Sequence, residues 1–303
     1  MKRKNKKNNS FVSAVIILLI AVSLSFGWHY FNDNANIICD SSSLITQDVS
    51  VHFIDVGQGD CELIFDNNKT VLIDGGEFEK GNEVLKYLKS LGIEKIDILI
   101  ATHPHTDHIG GLIAVVKNFQ IGRLIIPDIP SKLIPTTNTY TNFLKLICEK
   151  NVPVEKAEVG KSYKVGLGDL NILGPADKGY LNLNSWSVAV RYVYKNTSFL
   201  MCGDMEKDAE QDLINSKQDI KSDVFKLNHH GSKTSNTKEF LKAVAAKIYI
   251  IEVGSGNSYG HPSIEVIKRL GNSKIYRTDL NGTIVVSTNG DELSIKSKKG
   301  SEQ

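Results

Sequence analysis

One apolar segment of the sequence is followed directly by a dense group of metal-binding residue types. Residues 96–101 are typical of a buried strand, and His103, His105, Asp107 and His108 come immediately after it. Alternate spacing lets the first two side chains reach one metal ion, while the adjacent last two reach a neighbouring one. Neutral imidazole nitrogens and carboxylate oxygens are ligands of Zn²⁺, Mn²⁺ or Fe. The motif therefore predicts a metal site at the carboxyl end of a strand.

Three other apolar segments end in metal-binding residue types in the same way. The first precedes Asp74, the second precedes Asp204, and the third precedes the pair His229 and His230. A solvated histidine-rich loop would need no such partners, whereas a metal site needs ligands from several strand ends. The sequence leaves open which histidine of the pair binds metal. We predict His229, because it comes first after the strand, with His230 as a neighbour that faces substrate.

Short apolar runs alternate with helical stretches from residue 51 onward. Residues 163–173 predict a hairpin, residues 188–194 and 198–202 predict a strand pair, and residues 81–91 predict an amphipathic helix. Strand-rich ribbons are followed by mixed strands and helices, and this order occurs about twice. It predicts two packed sheets with helices outside, in one α/β domain from about residue 50 to 297.

The composition is that of a globular protein. Of the 303 residues, 41% are hydrophobic and 23% are charged, which excludes a disordered chain and a polytopic membrane protein. Five bases lie among the first seven residues, and beyond residue 49 the acids and bases balance. A strongly basic nucleic-acid-binding surface is therefore not implied by the composition.

The N-terminal residues predict a membrane-targeting element. Residues 1–10 are basic, and residues 11–31 form an apolar stretch that ends in aromatic side chains. About 20 such residues span a bilayer, and the basic flank would stay in the cytoplasm. We predict a cytoplasmic segment at 1–10, a transmembrane signal anchor at 11–31, a linker at 32–49 and a tail at 298–303. The domain would be extracellular on a single-pass anchor, or secreted if the anchor is cleaved.

These motifs resemble those of a known superfamily of hydrolases. The H-x-H-x-D-H motif at residues 103–108, with Asp74, Asp204 and the His229-His230 pair, is similar to the ligand motifs of the metallo-β-lactamase superfamily. Residues 53–60, 229–232, 257–262 and 278–282 further resemble the hydrolase domain of the ComEC DNA-uptake (competence) family.

The resemblance implies a fold and a set of ligands. The fold would be a metallo-β-lactamase-like αββα sandwich, with two mixed sheets inside and helices outside. The cofactors would be two divalent metal ions, Zn or Mn. The implied ligands are His103 and His105 for one ion and Asp107, His108 and His229 for the other, with Asp204 bridging both.

Two departures from the family pattern affect these expectations. The sequence has no histidine between His108 and Asp204, where the family's third motif places one. The matching stretch is residues 182–187, in which Asn184 and Ser187 become candidate contacts to ligand or substrate, and the first metal is expected to lack a strong ligand. ComEC proteins also carry a multi-helix channel, whereas this sequence predicts one span at most and therefore no transport pore.

Candidate chemistry follows from two metal ions, which supply a nucleophile and offset the negative charge of a phosphodiester. Asp107 would be both a metal ligand and a catalytic residue, and Asp74 would orient a ligand or the nucleophile from behind. His261 would protonate the leaving oxygen, bind phosphate or cap its loop. Lys226 would steer the substrate or lie on the surface. Tyr259 would stack on a base or pack on the loop.

Three classes of function are consistent with the sequence. The favoured class is an extracellular, membrane-anchored phosphodiesterase or nuclease that acts on an anionic phosphodiester such as DNA. A second class is a phosphorylcholine esterase or another ester or lactam hydrolase, because one fold supports many chemistries. The third is a non-catalytic binding protein on the cell surface that keeps a metal for structure. Loss of binding as salt rises would separate a nuclease from an enzyme that acts on a neutral ester.

Overall fold

Strands and helices alternate along residues 49–176 and 178–299, which are the part of the chain that the computed structural model describes. These residues all belong to one compact unit. The strands are β1 (Val49–Phe53), β2 (Glu62–Asp66), β3 (Lys69–Ile73), β4 (Lys95–Ile96), β5 (Ile98–Ile100), β6 (Gln120–Ile121), β7 (Leu124–Ile126), β8 (Val154–Lys156), β9 (Ser162–Val165), β10 (Gly168–Gly174), β11 (Ala189–Tyr194), β12 (Thr197–Met201), β13 (Val224–Lys226), β14 (Ile248–Ile251), β15 (Lys274–Arg277), β16 (Ile284–Thr288) and β17 (Leu293–Ser297). The α-helices are α1 (Gly81–Ser90), α2 (Thr106–Ile109), α3 (Leu112–Asn118), α4 (Asn138–Glu149), α5 (Lys207–Asn215), α6 (Lys238–Val244), α7 (Ile264–Leu270) and α8 (Thr278–Asn281). Short 3₁₀ turns lie at Phe78–Lys80, Ser131–Leu133, Asn184–Trp186 and Asn228–Gly231.

The predicted basic segment, the anchor and nearly all of the linker lie outside the described residues, as does most of the predicted tail. Among the described residues, no helix has both the length and the apolar character that a membrane span requires.

Two large mixed sheets form the centre of the described fold. The first has the order β17-β16-β1-β2-β3-β5-β7-β8, and the second has the order β15-β14-β13-β12-β11-β10-β9. Strands β3, β5, β7 and β8 are parallel to one another, and so are β12, β13, β14 and β15. The predicted pairs β9–β10 and β11–β12 are antiparallel, as expected.

Apolar side chains divide the fold into four layers. One core lies between the sheets and includes Phe53, Tyr192 and Phe199. A second core packs α1, α3 and α4 on the outer face of the first sheet, and a third packs α5, α6 and α7 on the outer face of the second. Successive side chains of a strand point to opposite faces of its sheet, so each sheet contributes apolar side chains to the inner core and to one outer core. The αββα sandwich expected from the resemblance is confirmed.

One predicted strand is broken in two. The sequence predicts a continuous strand over residues 96–101, but the structure separates β4 from β5 at Asp97. The Asp97 carboxylate accepts a hydrogen bond from Thr70 N, and Thr70 Oγ1 accepts one from Asp97 N, at 3.1 Å each. These two hydrogen bonds join the segments around Thr70 and Asp97. On either side of Asp97, β4 pairs with β6 and β5 joins the first sheet.

Candidate metal centre

The carboxyl ends of the parallel strands bring the predicted ligands together. In the first sheet Ile73 pairs with Ile100, so the loops that begin with Asp74 and lead to His103 start at the same level. In the second sheet β12 and β13 are paired in parallel, and the loops to Asp204 and to the histidine pair leave from the same end. The two groups of loops meet above the core between the sheets.

Four of the candidate side chains converge at one point. Ligand atoms of Asp107, His108, Asp204 and His230 all lie within 4.8 Å of one another. His108 Nε2 lies 3.3 Å from Asp204 Oδ2, and His230 Nε2 lies 3.6 Å from Asp204 Oδ1 and 3.4 Å from Asp107 Oδ2. Two carboxylates and two imidazoles are a suitable donor set for a divalent transition metal.

The unpaired atoms in this group show that a cation fits it. His108 Nε2, His230 Nε2 and Asp204 Oδ1 are buried and have no hydrogen-bond partner among the described residues. A buried polar atom without a partner costs roughly 1–3 kcal/mol, and three at one point are a large cost. On the opposite side of each ring, His108 Nδ1 donates to Asp74 Oδ2 at 2.7 Å and His230 Nδ1 donates to Glu252 O at 2.9 Å. Both Nε2 atoms therefore face the cluster, as metal ligands require.

The structure places His230, rather than the predicted His229, in this group. His230 is buried, and its Nδ1 also lies 3.2 Å from Asp60 Oδ1. His229 lies on the other side of Asp204, with Nε2 3.6 Å from Asp204 Oδ2. Both histidines have left-handed backbone conformations, with φ of 50° and 54°. With this local turn, the second histidine of the pair, and not the one that comes first after the strand, lies in the group.

His103 and His105 lie beside the group without joining it. His103 Nε2 is 3.0 Å from His105 Nδ1 and 3.8 Å from Asp204 Oδ2. On its other side, His103 Nδ1 lies 3.1 Å from Thr102 Oγ1 and 3.4 Å from Ser187 Oγ. Ser187 is buried and also accepts a hydrogen bond from Asp204 N. It therefore holds ligands in place and does not face substrate.

Asp74 lies behind the ligands, the position expected of an orienting carboxylate. Its oxygens accept hydrogen bonds from His108 Nδ1, from Thr102 N at 2.8 Å and from Thr102 Oγ1 at 2.5 Å. The residue is fully buried at φ 55°, a left-handed conformation that Asp tolerates better than most residues. It holds the ring of His108 and, through Thr102, the ring of His103.

The structure contradicts both sequence-based interpretations of Lys226. Its side chain is 0% exposed, so it neither lies on the surface nor reaches substrate. The ammonium donates to Asp60, which is also fully buried, and lies among the buried carboxyl groups of Glu62 and Glu252. Asp60 in turn lies beside His230. Lys226 is therefore the positive charge that offsets a cluster of acids beneath the metal ligands.

The charges of the cluster shift several pKa values. Burial alone would lower the pKa of His230, but Asp204 and Asp60 raise it to about 10. Burial also opposes protonation of His108, yet Asp204 and Asp107 raise its pKa well above the ordinary value. Burial raises the pKa of Asp204, but the same two histidines hold it well below the ordinary range. A cation that enters the site therefore displaces protons from imidazoles.

The remaining predicted residues lie at the mouth of the site. His261 is 5.4 Å from His229 between ring centroids, and Tyr259, which is 67% exposed, stacks on His261 at 5.8 Å. Asn257 fixes their loop by bonding the backbone of His261 through both side-chain atoms. Asn184 donates to Glu206 at 3.3 Å. It therefore contacts a residue behind His229.

Sequence reasoning assigned no role to four residues that shape the site, and each of them left some signal. Asp60 directly follows the Gly57-Gln58-Gly59 turn, and Thr102 lies between a buried strand and the histidines that follow it. Glu206 lies two residues after Asp204. Glu252 directly follows an apolar strand, as Asp74 does. The missed residues are Asp60, Thr102, Glu206 and Glu252.

Residues 54–253 match the family model of the metallo-beta-lactamase superfamily. The chain belongs to that superfamily and is a metal-dependent hydrolase, and proteins of this fold bind divalent metals, typically two. The chain is 31% identical over 260 residues to ComE operon protein 3 of Bacillus subtilis, and the match covers 79% of this chain and 33% of the relative. It is also 30% identical over 253 residues to Recombination protein 2 of Haemophilus influenzae, and that match covers 81% of this chain and 30% of the relative.

These relatives confirm the resemblance to the ComEC family, and the chain spans about a third of their length. Among solved structures, it is similar to CmlA, a diiron beta-hydroxylase from Streptomyces venezuelae, with a TM-score of 0.52 at 12% identity. That match covers 80% of this chain and 54% of CmlA, and it shows the fold alone.

Substitution of Lys226 tests the buried charge cluster. In Lys226→Met, Asp60 loses its ammonium partner in the interior, which costs about 3–5 kcal/mol of unfolding free energy. Urea denaturation monitored by circular dichroism measures this loss. Lys247→Met is the control, because Lys247 pairs with Asp223 at the surface and its removal should change the midpoint little. Equal midpoints for the two variants would refute the structural role of Lys226.

Metal binding should strengthen as pH rises. The pKa of His230 is raised to about 10 and that of His108 is raised well above its ordinary value, so protons compete with a metal ion for both rings. Affinity should rise by up to about tenfold per pH unit for each proton displaced. Calorimetry of Mn²⁺ binding in two buffers of different ionisation enthalpy measures the protons released. Binding without proton release would contradict the charge assignment.

Proposed function

We propose that this chain is a two-metal phosphodiesterase whose physiological substrate is DNA. The proposal rests on the buried Nε2 atoms of His108 and His230 and the buried Oδ1 of Asp204, which have no hydrogen-bond partner within residues 49–176 and 178–299. They face one another within a cluster that also contains Asp107. This donor set supports metal-dependent hydrolysis, and the similarity to ComEC-family proteins favours a nucleic acid over a small ester.

Asp204 is suited to hold both metals. Its Oδ2 faces His103 Nε2 at 3.8 Å and His108 Nε2 at 3.3 Å, while its Oδ1 faces His230 Nε2 at 3.6 Å. His103 and His105 would hold one ion, and Asp107, His108 and His230 would hold the other. When bound, the two ions supply an activated nucleophile and offset negative charge on phosphoryl oxygens. The protein residues keep the ligands rigid through Asp74 and the Lys226–Asp60 pair.

His261 would act as a neutral hydrogen-bonding group at the mouth of the site. Burial and the nearby His229 and His230 lower its pKa to about 4. It is therefore uncharged near pH 7 and would bond a phosphoryl or leaving oxygen without donating from an imidazolium. Its buried Nδ1 has no partner within the described residues.

Tyr259 supports a nucleic-acid substrate. Its ring is exposed, lies parallel to His261 within 21°, and belongs to a loop that Asn257 holds in place. An exposed aromatic ring on a fixed loop beside a phosphodiester site would provide a surface on which a nucleobase can stack. The proposal also places the enzyme outside the cell on a membrane anchor, since residues 1–10 are basic and residues 11–31 are apolar.

Removal of Asp107 tests the hydrolytic centre. The purified chain, loaded with Mn²⁺ or Zn²⁺, should cleave bis-p-nitrophenyl phosphate and single-stranded DNA, and chelator should abolish both activities. Asp107→Ala should lower both rates by on the order of 100-fold or more, since even residues behind a metal ligand contribute about 10–100-fold.

Asp219→Ala is the control for this substitution, because that carboxylate is exposed and pairs with Arg191 far from the ligands. Cleavage of neither substrate by the metal-loaded protein would contradict the phosphodiesterase proposal. Phosphorylcholine, carboxylic esters and lactams would then be assayed. Full activity of Asp107→Ala would contradict the assignment of the centre.

Substitution of Tyr259 tests the nucleic-acid part of the proposal. Stacking on an aromatic ring contributes about 1–3 kcal/mol per base, so Tyr259→Ala should raise KM for single-stranded DNA by roughly 5- to 150-fold. Tyr259→Phe keeps the ring and should behave like the unsubstituted protein. Hydrolysis of methyl p-nitrophenyl phosphate measures the intact centre in each variant. An unchanged KM for DNA in Tyr259→Ala would exclude base stacking at this ring.

A further inference from the structure

The first metal position lacks a ligand that the family's third motif would supply. We propose that His229 provides this ligand and that Glu206 orients it, which rests on the proposed two-metal centre. His229 then joins His103, His105 and Asp204, while His230 completes the second position. The two adjacent histidines of one turn thus serve different metal ions.

The position of the His229 ring supports this assignment. Its Nε2 lies 3.6 Å from Asp204 Oδ2, the same oxygen that lies 3.8 Å from His103 Nε2. His230 instead faces Asp204 Oδ1. The two histidines therefore approach different oxygens of Asp204, with ring centroids 6.0 Å apart. His108 Nε2 lies 3.3 Å from the same Oδ2 as His229, so imidazoles that would hold either ion surround one carboxylate.

The backbone conformation of the turn at His229 and His230 also supports this assignment. His229 and His230 both have left-handed conformations, with ψ of 48° and 25°. Residues held in such conformations cost roughly 1–3 kcal/mol each and persist where the surrounding structure requires them. The turn is fixed by hydrogen bonds from His229 N to Gly203 O and from Ser232 N to His229 O. It directs two successive imidazoles toward one carboxylate.

The Nδ1 atom of His229, on the side of the ring away from Asp204, is held by polar contacts, as Nδ1 of His108 is. Nδ1 lies 3.4 Å from both Thr234 Oγ1 and Glu206 Oε1. Thr234 Oγ1 also donates to Glu206 at 3.1 Å. A carboxylate at Nδ1 fixes the tautomer with the lone pair on Nε2, as it does behind metal-binding histidines generally. Asp74 does the same for His108.

The stretch that replaces the third motif contacts His229 directly. Asn184, which lies in that stretch, has its side-chain amide 3.4 Å from His229 Nδ1 and bonded to Glu206. Asn182 also donates to Glu206, at 3.4 Å. The chain thus has an amide-supported carboxylate where a histidine is absent. This support positions an imidazole from another loop.

Metal stoichiometry tests the proposal. The purified full-length chain is dialysed against excess Mn²⁺ or Co²⁺, and bound metal per chain is measured by mass spectrometry. We expect two ions in the unsubstituted protein and one in His229→Ala, with a changed Co²⁺ absorption spectrum. His261→Ala is the matched control, because it removes a neighbouring imidazole, and it should retain two ions. Thermal unfolding by circular dichroism verifies that each variant is folded.

Glu206→Gln tests the orienting role without removing the ligand. It should keep the fold and weaken binding of one of the two ions by about 10–100-fold. If His229→Ala does not fold, this variant decides the question. Two tightly bound ions in a folded His229→Ala, or unchanged affinities in Glu206→Gln, would overturn the role of His229 alone. Fewer than two ions in the unsubstituted protein would overturn the two-metal proposal and this inference with it.

Discussion

Acidic side chains of like charge are buried beneath the ends of the parallel strands, and the protein must offset that charge in order to fold. Asp60 and Asp74 are 0% exposed and Asp204 is 2% exposed. Isolated buried carboxylates would be very costly. The protein offsets them with the buried ammonium of Lys226 and with imidazoles that carry protons or bind cations. The metal ligands are therefore part of the packing between the two sheets, and the fold and the centre depend on each other.

The loops that carry the ligands pack so closely that a side chain would not fit at two of their glycines. A Cβ on Gly111 would lie 1.9 Å from Gly75 O, and a Cβ on Gly59 would lie 2.1 Å from Asp107 O. Gly59 also has φ of 121°, which other residues rarely adopt. The backbone segments after β1 and β3 can therefore approach the segment after β5 closely. These contacts place Asp60 and Asp74 behind His108, so that the glycines help to position the candidate ligands.

The sequence predicted the sandwich and most of the centre because buried strands and their terminal His and Asp residues leave strong local patterns. The role of Lys226 could not be predicted, since its partner Asp60 is 166 positions away and apolar neighbours are equally consistent with an exposed lysine. The choice between His229 and His230 depended on two left-handed residues that no side-chain periodicity reveals. The break at Asp97 depended on a tertiary exchange of hydrogen bonds with Thr70.

In the proposed centre one carboxylate, Asp204, holds two metal ions between the sheets. Electron paramagnetic resonance of the Mn²⁺-loaded protein can detect such a pair, because two Mn²⁺ ions bridged by a carboxylate are exchange-coupled. We expect a coupled signal at two equivalents of Mn²⁺ that Asp204→Asn eliminates. An uncoupled six-line signal at every loading would contradict it.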